Sequence, residues 1–283
     1  MPWLVGGGDE AGLRAHAARL AEELAGVRDD ADALDVAFSL ATTRAPLSQR
    51  AAVPAPDAEG LLRGLRELAA GDDGPALLRG TARPRPRVAL LFPGQGAQRP
   101  GMGSDLRAAF PAFDAAFTGL CEEFTPWLDR PLLEVIDDPD PTVLDRTDYA
   151  QPALFAYAVA LHSLLAGFGV RPDRLVGHSV GELAAAHVAG VFSRADAVRL
   201  VAARGRLMAA LPAGGAMIAV RAPLAEVTPL LDGVPGRAVA VAAVNGPQSV
   251  VLSGPEDAVT ALAAAVGGPR RRRRVSHAFH SPL

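Results

Sequence analysis

The sequence predicts an α/β fold with a ferredoxin-like insert, preceded by a small α+β region. Three observations lead there. Two short apolar runs, "VALLF" (88–92) and "RLVGHS" (174–179), read as strands, and the second passes at once into helical pattern. From residue 212 the order becomes strand, helix, strand, strand, helix, strand: "GGAMIAV", "PLAEVTPLL", "AVAVAAVN", "SVVLSG", "PEDAVTALAAAV" and "RRRRRVS". Ahead of both, helical segments flank one strand, and "GDDGPALLRGTARPRPR" (71–87) loses periodicity and marks a boundary.

In chain order, Leu13, Ala17, Leu20 and Leu24 share one face of a helix over 9–26, with Asp9 as cap and Gly26 as stop. "SQRAAVPA" reads as a strand, and 57–71 as a second helix with Leu61, Leu62, Leu65 and Leu68 inward. The unbroken run "VALLF" predicts a strand buried on both faces, ended by Pro93. Helical pattern then dominates to about residue 168.

Composition excludes several classes. The 283 residues are 49% hydrophobic and 21% charged, with a formal net charge of −3. This describes a globular chain with no reason to bind nucleic acid. The run Arg270–Arg274 is read as a partly solvated strand, its stems lying over apolar surface. A lone cysteine, Cys121 in "GLCEEF", rules out a disulfide framework and is read as packing. No apolar run reaches the roughly 18 residues a membrane span needs, and "MPWLVGGGDE" lacks the basic and apolar regions of a signal peptide. The expectation is a cytoplasmic chain without membrane partners.

The chemistry centres on "LVGHSVGELAAAHVAG" (175–190). A serine hydroxyl is a poor nucleophile near neutral pH and needs a base and donors for the oxyanion it creates. Ser179 stands between strand and helix, where Gly177 and Gly181 permit a sharp turn and the helix N-terminus aims N–H groups at developing charge. The Val180 N–H is one expected oxyanion donor. A second is the Gln95 N–H in "PGQGAQ", where glycines let backbone approach a ligand. Of six histidines, His16 and His162 fall in helices, His178 points away from its neighbour Ser179, and His187 is too far along its helix. The base is then His277 or His280, in "SHAFHSPL". There is no HExxH or Cys/His cluster, so no metal is expected.

The segments "FPGQGAQRPGMG", "GHSVGELAAAHVAG", "RGRLM" and "SHAFHSPL", in that order, resemble the acyltransferase domain of modular type I polyketide synthases, related to malonyl-CoA:acyl-carrier-protein transacylases. Residues 1–87, with "FSLATTRAPLSQRA", are similar to the linker between ketosynthase and acyltransferase. The resemblance implies an α/β-hydrolase-like large subdomain (88–211), a ferredoxin-like small subdomain (212–275) and a return to the large subdomain at 276–283. It also implies that the chain is a fragment truncated at its C-terminus. By the same resemblance, Ser179 carries the acyl group, His280 is the general base and acid, Gln95 and Val180 form the oxyanion hole, and Arg204 grips the carboxylate of the extender unit. Phe279, Val180 and "YAQPALFA" look like the malonyl-selecting pattern. Malonyl-CoA is the implied substrate, with no bound cofactor. The implied partners are the phosphopantetheine thiol of an acyl carrier protein and an adjacent ketosynthase. Two other readings stand beside this one. A serine hydrolase of α/β-hydrolase type shares the elbow and could draw an acid from Asp196, Asp232, Glu256 or Asp257. The third is a fragment with only a scaffolding role.

Overall fold

The computed structural model describes all residues except 1, 28, 75–76, 84–85, 212–214, 273–277 and 283, and only the backbone of 30 and 237. The chain divides into two compact units, Met1–Pro86 and Arg87–Leu283.

The first unit holds β1 (Trp3–Gly7), α1 (Glu10–Glu23), α2 (Asp30–Thr43), β2 (Gln49–Val53), α3 (Ala58–Ala70) and β3 (Leu78–Thr81). Its antiparallel sheet has the order β1-β2-β3. Asp9, Asp29 and Asp57 cap the three helices, each carboxylate accepting an N–H of the first turn. Leu13, Leu65 and Leu68 close the core with Trp3, whose indole Nε1 donates to Ala33 O at 2.9 Å. The sequence reading had α1, β2 and α3 but not β1, α2 or β3.

The second unit opens with β4 (Ala89–Phe92) and runs through α4 (Ser104–Ala109), α5 (Pro111–Glu123), α6 (Leu132–Asp137), α7 (Pro141–Leu144) and α8 (Thr147–Gly167). Then come β5 (Arg174–Gly177), α9 (Val180–Val188) and α10 (Arg194–Ala209). β4 and β5 pair in parallel, from Ala89↔Arg174 to Phe92↔Gly177, and the His178 N–H extends the ladder to Phe92 O at 3.0 Å. A core of Phe113, Phe117, Phe124, Ile136, Phe155, Val180 and Val201 ties the helices to this pair.

One expectation is corrected here. β4 is not buried on both faces: Leu91 is 74% exposed and its partner in register, Val176, is 54% exposed. Among the described residues the helices cover only the face carrying Phe92, Leu90 and Leu175. Among the described residues α8 is long and apolar enough to cross a membrane by length and mean hydropathy. Polar residues interrupt its sequence, so no unbroken apolar run was visible. Half of that stretch is buried, and the helix packs against α5, α9 and α10, as a core helix does. Cys121 lies buried in α5, where burial pushes its thiol up to about 12.

The last part follows the expected βαββαβ order: β6 (Gly215–Val220), α11 (Leu224–Leu231), β7 (Ala240–Gly246), β8 (Ser249–Pro255), α12 (Glu256–Val266) and β9 (Arg270–Arg272). The sheet order β7-β8-β6-β9 is antiparallel throughout and ferredoxin-like. Ile218, Val220, Val250 and Leu252 form its core with Val227, Val259 and Leu262 of the two helices. Arg272 pairs with Glu256, while Arg273 and Arg274 lie outside the described residues.

Candidate active site

The site forms where β4 and β5 end and α9 begins, at the carboxyl ends of parallel strands, where open α/β sheets bind their ligands. A shallow hollow lined by Arg87, Val88, Ala89, Asp173 and Arg174 lies at the opposite ends of the same strands and has no part in it.

Ser179 sits at φ 55° and ψ −121°, a conformation an L-residue adopts only under constraint. Close packing supplies the constraint. A Cβ on Gly177 would fall 2.3 Å from Glu182 Cα, and one on Gly181 would fall 2.0 Å from Phe92 O. The chain can turn this tightly only without side chains at those two places. The turn lifts Ser179 out and sets the Val180 N–H at the first position of α9, where it has no intrahelical partner. His178 packs its ring under Gly94 of the loop after β4. That loop carries Gln95, whose Nε2 lies 3.5 Å from Thr147 Oγ1. Gln98 holds it on both sides, accepting from the Gly96 N–H at 2.9 Å and donating to Asp145 at 2.9 Å. Among the described residues, neither the Gln95 nor the Val180 N–H has an acceptor.

Arg204 comes to Ser179 from α10. The helix packs so closely on α8 that Gly205 lies against the backbone of Thr147 and Asp148. Arg204 Nη2 donates to Ser179 Oγ at 3.0 Å, and Nη1 donates to Gln151 Oε1 at 2.5 Å. Burial lowers the guanidinium's pKa, yet an arginine stays charged. Gln151 was not singled out from sequence as a site residue. Its signal was there: between residues 149 and 161 it is the one amide in an otherwise apolar or aromatic run, and a buried amide must find partners. It is 1% exposed and donates from Nε2 to Met208 Sδ at 3.3 Å.

His280 follows the buried pair Ala278 and Phe279 and has φ 59°. Part of its surface stays open to solvent. Its imidazole is nevertheless held below the ordinary histidine value, first by partial burial, then by the Arg204 charge, then by His178. Among the described residues, Ser179 Oγ is bonded to Arg204 and not to His280. His277 lies outside the described residues. The other histidines have their own partners or places: His16 Nδ1 meets Gly6 O at 2.9 Å, His187 Nδ1 meets Phe192 O at 3.1 Å, and His162 lies within α8. Two of the carboxylates a hydrolase could use have partners of their own. Asp196 accepts from Ser193 at the start of α10, and Glu256 pairs with Arg272.

A strained serine at a strand-to-helix elbow, with a guanidinium on its oxygen, stands in an α/β-hydrolase-like domain. The chain belongs to the acyl transferase domain family, whose model matches residues 89–283. It is 52% identical over 284 residues to the polyketide synthase GfsB of Streptomyces halstedii, covering 99% of this chain and 5% of that protein. It therefore spans a small part of the synthases it resembles. Over its whole length it matches the crystal structure of the acyltransferase domain from module 8 of the salinomycin polyketide synthase. That match has a TM-score of 0.89 and 36% identity and covers 67% of that chain. A malonyl-transacylase in complex with a type II polyketide synthase acyl-carrier protein matches 68% of this chain and 64% of its own, with a TM-score of 0.62 and 31% identity.

Proposed function

We propose that this chain transfers a malonyl unit from malonyl-CoA, through an ester on Ser179, to the phosphopantetheine thiol of an acyl carrier protein in polyketide assembly. The observation that carries the reading is the Arg204 guanidinium 3.0 Å from the nucleophile. A planar fork of donors suits a carboxylate, and an acyl group on Ser179 that ends in a carboxylate would present it there. A hydrolase of neutral esters has no use for a half-buried cation at that point. The matched malonyl-transacylase in complex with its carrier protein supports the choice of acyl group and partner.

The residues divide the work as follows. Ser179 Oγ attacks the thioester carbonyl and its proton passes to His280. The Gln95 and Val180 N–H groups receive the oxyanion. The tetrahedral intermediate collapses, the C–S bond breaks, and His280 returns the proton to the departing CoA thiolate. In the second half His280 takes the proton of the carrier thiol, whose sulfur attacks the serine ester, and returns it to Ser179 as the C–O bond breaks.

The test is intact mass after mixing with malonyl-CoA, followed by chase with a holo carrier protein. A malonyl adduct on Ser179 that passes to the thiol faster than to water is expected. An adduct lost to water at the same rate would favour the hydrolase reading, and no adduct in the unaltered protein would favour a scaffolding role.

A further inference from the structure

We infer that Arg204 is a latch on the nucleophile: in the empty site it holds Ser179 Oγ, and a donor bearing a free carboxylate draws it off. The inference rests on the transfer reading above and adds a second role to the same arginine.

The observation is where the guanidinium N–H groups go. Nη2 is on Ser179 Oγ at 3.0 Å and Nη1 is on Gln151 Oε1 at 2.5 Å. Gln151 is itself fixed by burial and by its bond to Met208. One end of the guanidinium is thus anchored to a buried amide, and the other rests on the oxygen that must attack. His280, the base, is not bonded to that oxygen. A cationic donor on a hydroxyl oxygen occupies a lone pair and withdraws its electron density, so the serine is a weaker nucleophile while the bond lasts.

A malonyl donor changes the arrangement. Its carbonyl carbon must come to bonding distance of Oγ, and its carboxylate lies one methylene further on. The carboxylate therefore arrives at the same Nη2 edge that holds Oγ. An ionised acceptor competes with a neutral hydroxyl for a guanidinium at about twice the bond strength. Gln151 keeps Nη1, so the guanidinium turns rather than leaves. Oγ is released toward His280, which lies near enough to Arg204 for that charge to bear on its titration. Discrimination for carboxylate-bearing acyl groups then has two parts, an ion pair in binding and a released nucleophile in rate. An acetyl donor gains neither.

The experiment is single-turnover formation of acyl-Ser179 from malonyl-CoA and from acetyl-CoA, at saturation, in the unaltered protein and in Arg204→Ala. Arg204→Met, which fills the same space, replaces the alanine variant if that one does not fold. A grip without a latch leaves the acetyl rate unchanged when Arg204 is removed. The latch raises it about fivefold or more, the rate equivalent of one hydrogen bond. The second arm needs no variant: formate supplies the missing carboxylate and should speed acetyl loading in the unaltered protein but not in Arg204→Ala. An acetyl rate that does not rise on removal of Arg204, or a formate acceleration that survives it, overturns the latch. If malonyl-CoA itself leaves no adduct on the unaltered protein, the transfer reading fails first, and the two failures are told apart.

Discussion

In the proposed transfer His280 has to be neutral to take a proton from Ser179, and its surroundings favour that form. Partial burial, Arg204 and His178 all hold its imidazole below the ordinary value. The sign follows directly. A lowered value displaces protonation to lower pH, so the midpoint of the acid-side fall in loading rate should lie below the ordinary histidine value of about 6.5. The pH profile of single-turnover loading checks this, and a midpoint above about 6.5 would contradict it. His280→Ala should lower loading by about 10³-fold or more without loss of malonyl preference, because Arg204 is untouched. Phe279 is 6% exposed and stands between Ala278 and the base. In the proposed transfer a ring beside the base would take the volume an α-methyl branch needs, and over-packing costs about 1–3 kcal/mol, or roughly tenfold to two-hundredfold in preference. Phe279→Ser should raise methylmalonyl loading relative to malonyl in competition between the two CoA esters. Equal loading of both by the unaltered protein would remove the premise.

At the scale of the element, the elbow was legible and the sheet around it only in part. The pattern GxSxG between a strand and a helix is a statement about sterics, and the structure repeats it in contacts: Phe92 O leaves no room for a Cβ on residue 181. Gly181→Ala puts a methyl group where a backbone carbonyl sits. Neither β4 nor α9 can give without breaking the parallel pair, so a loss of several kcal/mol is expected, above the roughly 1–3 kcal/mol of ordinary over-packing. Thermal melts read it, and a variant that melts with the unaltered protein would show the elbow to be looser than it is drawn. The apolar run 88–92 gave the strand but not its cover. Hydrophobicity says that a face would be stabilised by burial and not what buries it, and Leu91 and Val176 are open. β1 was missed because it alternates weakly, with Trp3 and Val5 inward and Leu4 outward over glycines. α2 was missed because it shows apolar side chains on both sides: Ala33, Ala37 and Leu40 are buried, while Leu34 and Phe38 are exposed. Gln151 was hidden for a different reason. Its importance lies in a partner 53 residues away, and spacing carries no such information.

At the scale of the whole second unit, the proposed nucleophile and the proposed base arrive by separate routes. Ser179 is fixed by the β4–β5–α9 elbow of the large subdomain, and Arg204 by the packing of α10 on α8. His280 comes after the small subdomain, at the end of the segment that leaves β9. The described contact that fixes this segment against the small subdomain's sheet is between Ala278 and the first residue of β6. A Cβ on Gly215 would stand 2.3 Å from Ala278 Cβ and 2.9 Å from Ala278 N. The contact is therefore a close seat for the base, two residues before it. Gly215→Ala should push Ala278 away and carry Phe279 and His280 with it. Displacing a catalytic group by about 1 Å costs roughly 10²-fold in rate, whereas the over-packing itself should cost about 1–3 kcal/mol of stability. The two subdomains predict a division in the kinetics. The single-turnover loading rate should fall by one to two orders of magnitude on that principle, while the malonyl-to-acetyl ratio, which the proposed transfer assigns to Arg204 on the large subdomain, should hold. Rates for both acyl donors, with a melting curve to show the fold intact, would decide it. A variant that loads at the original rate would mean that Gly215 does not seat the base. One that loses rate and preference together would mean that the two halves of the site are not built independently.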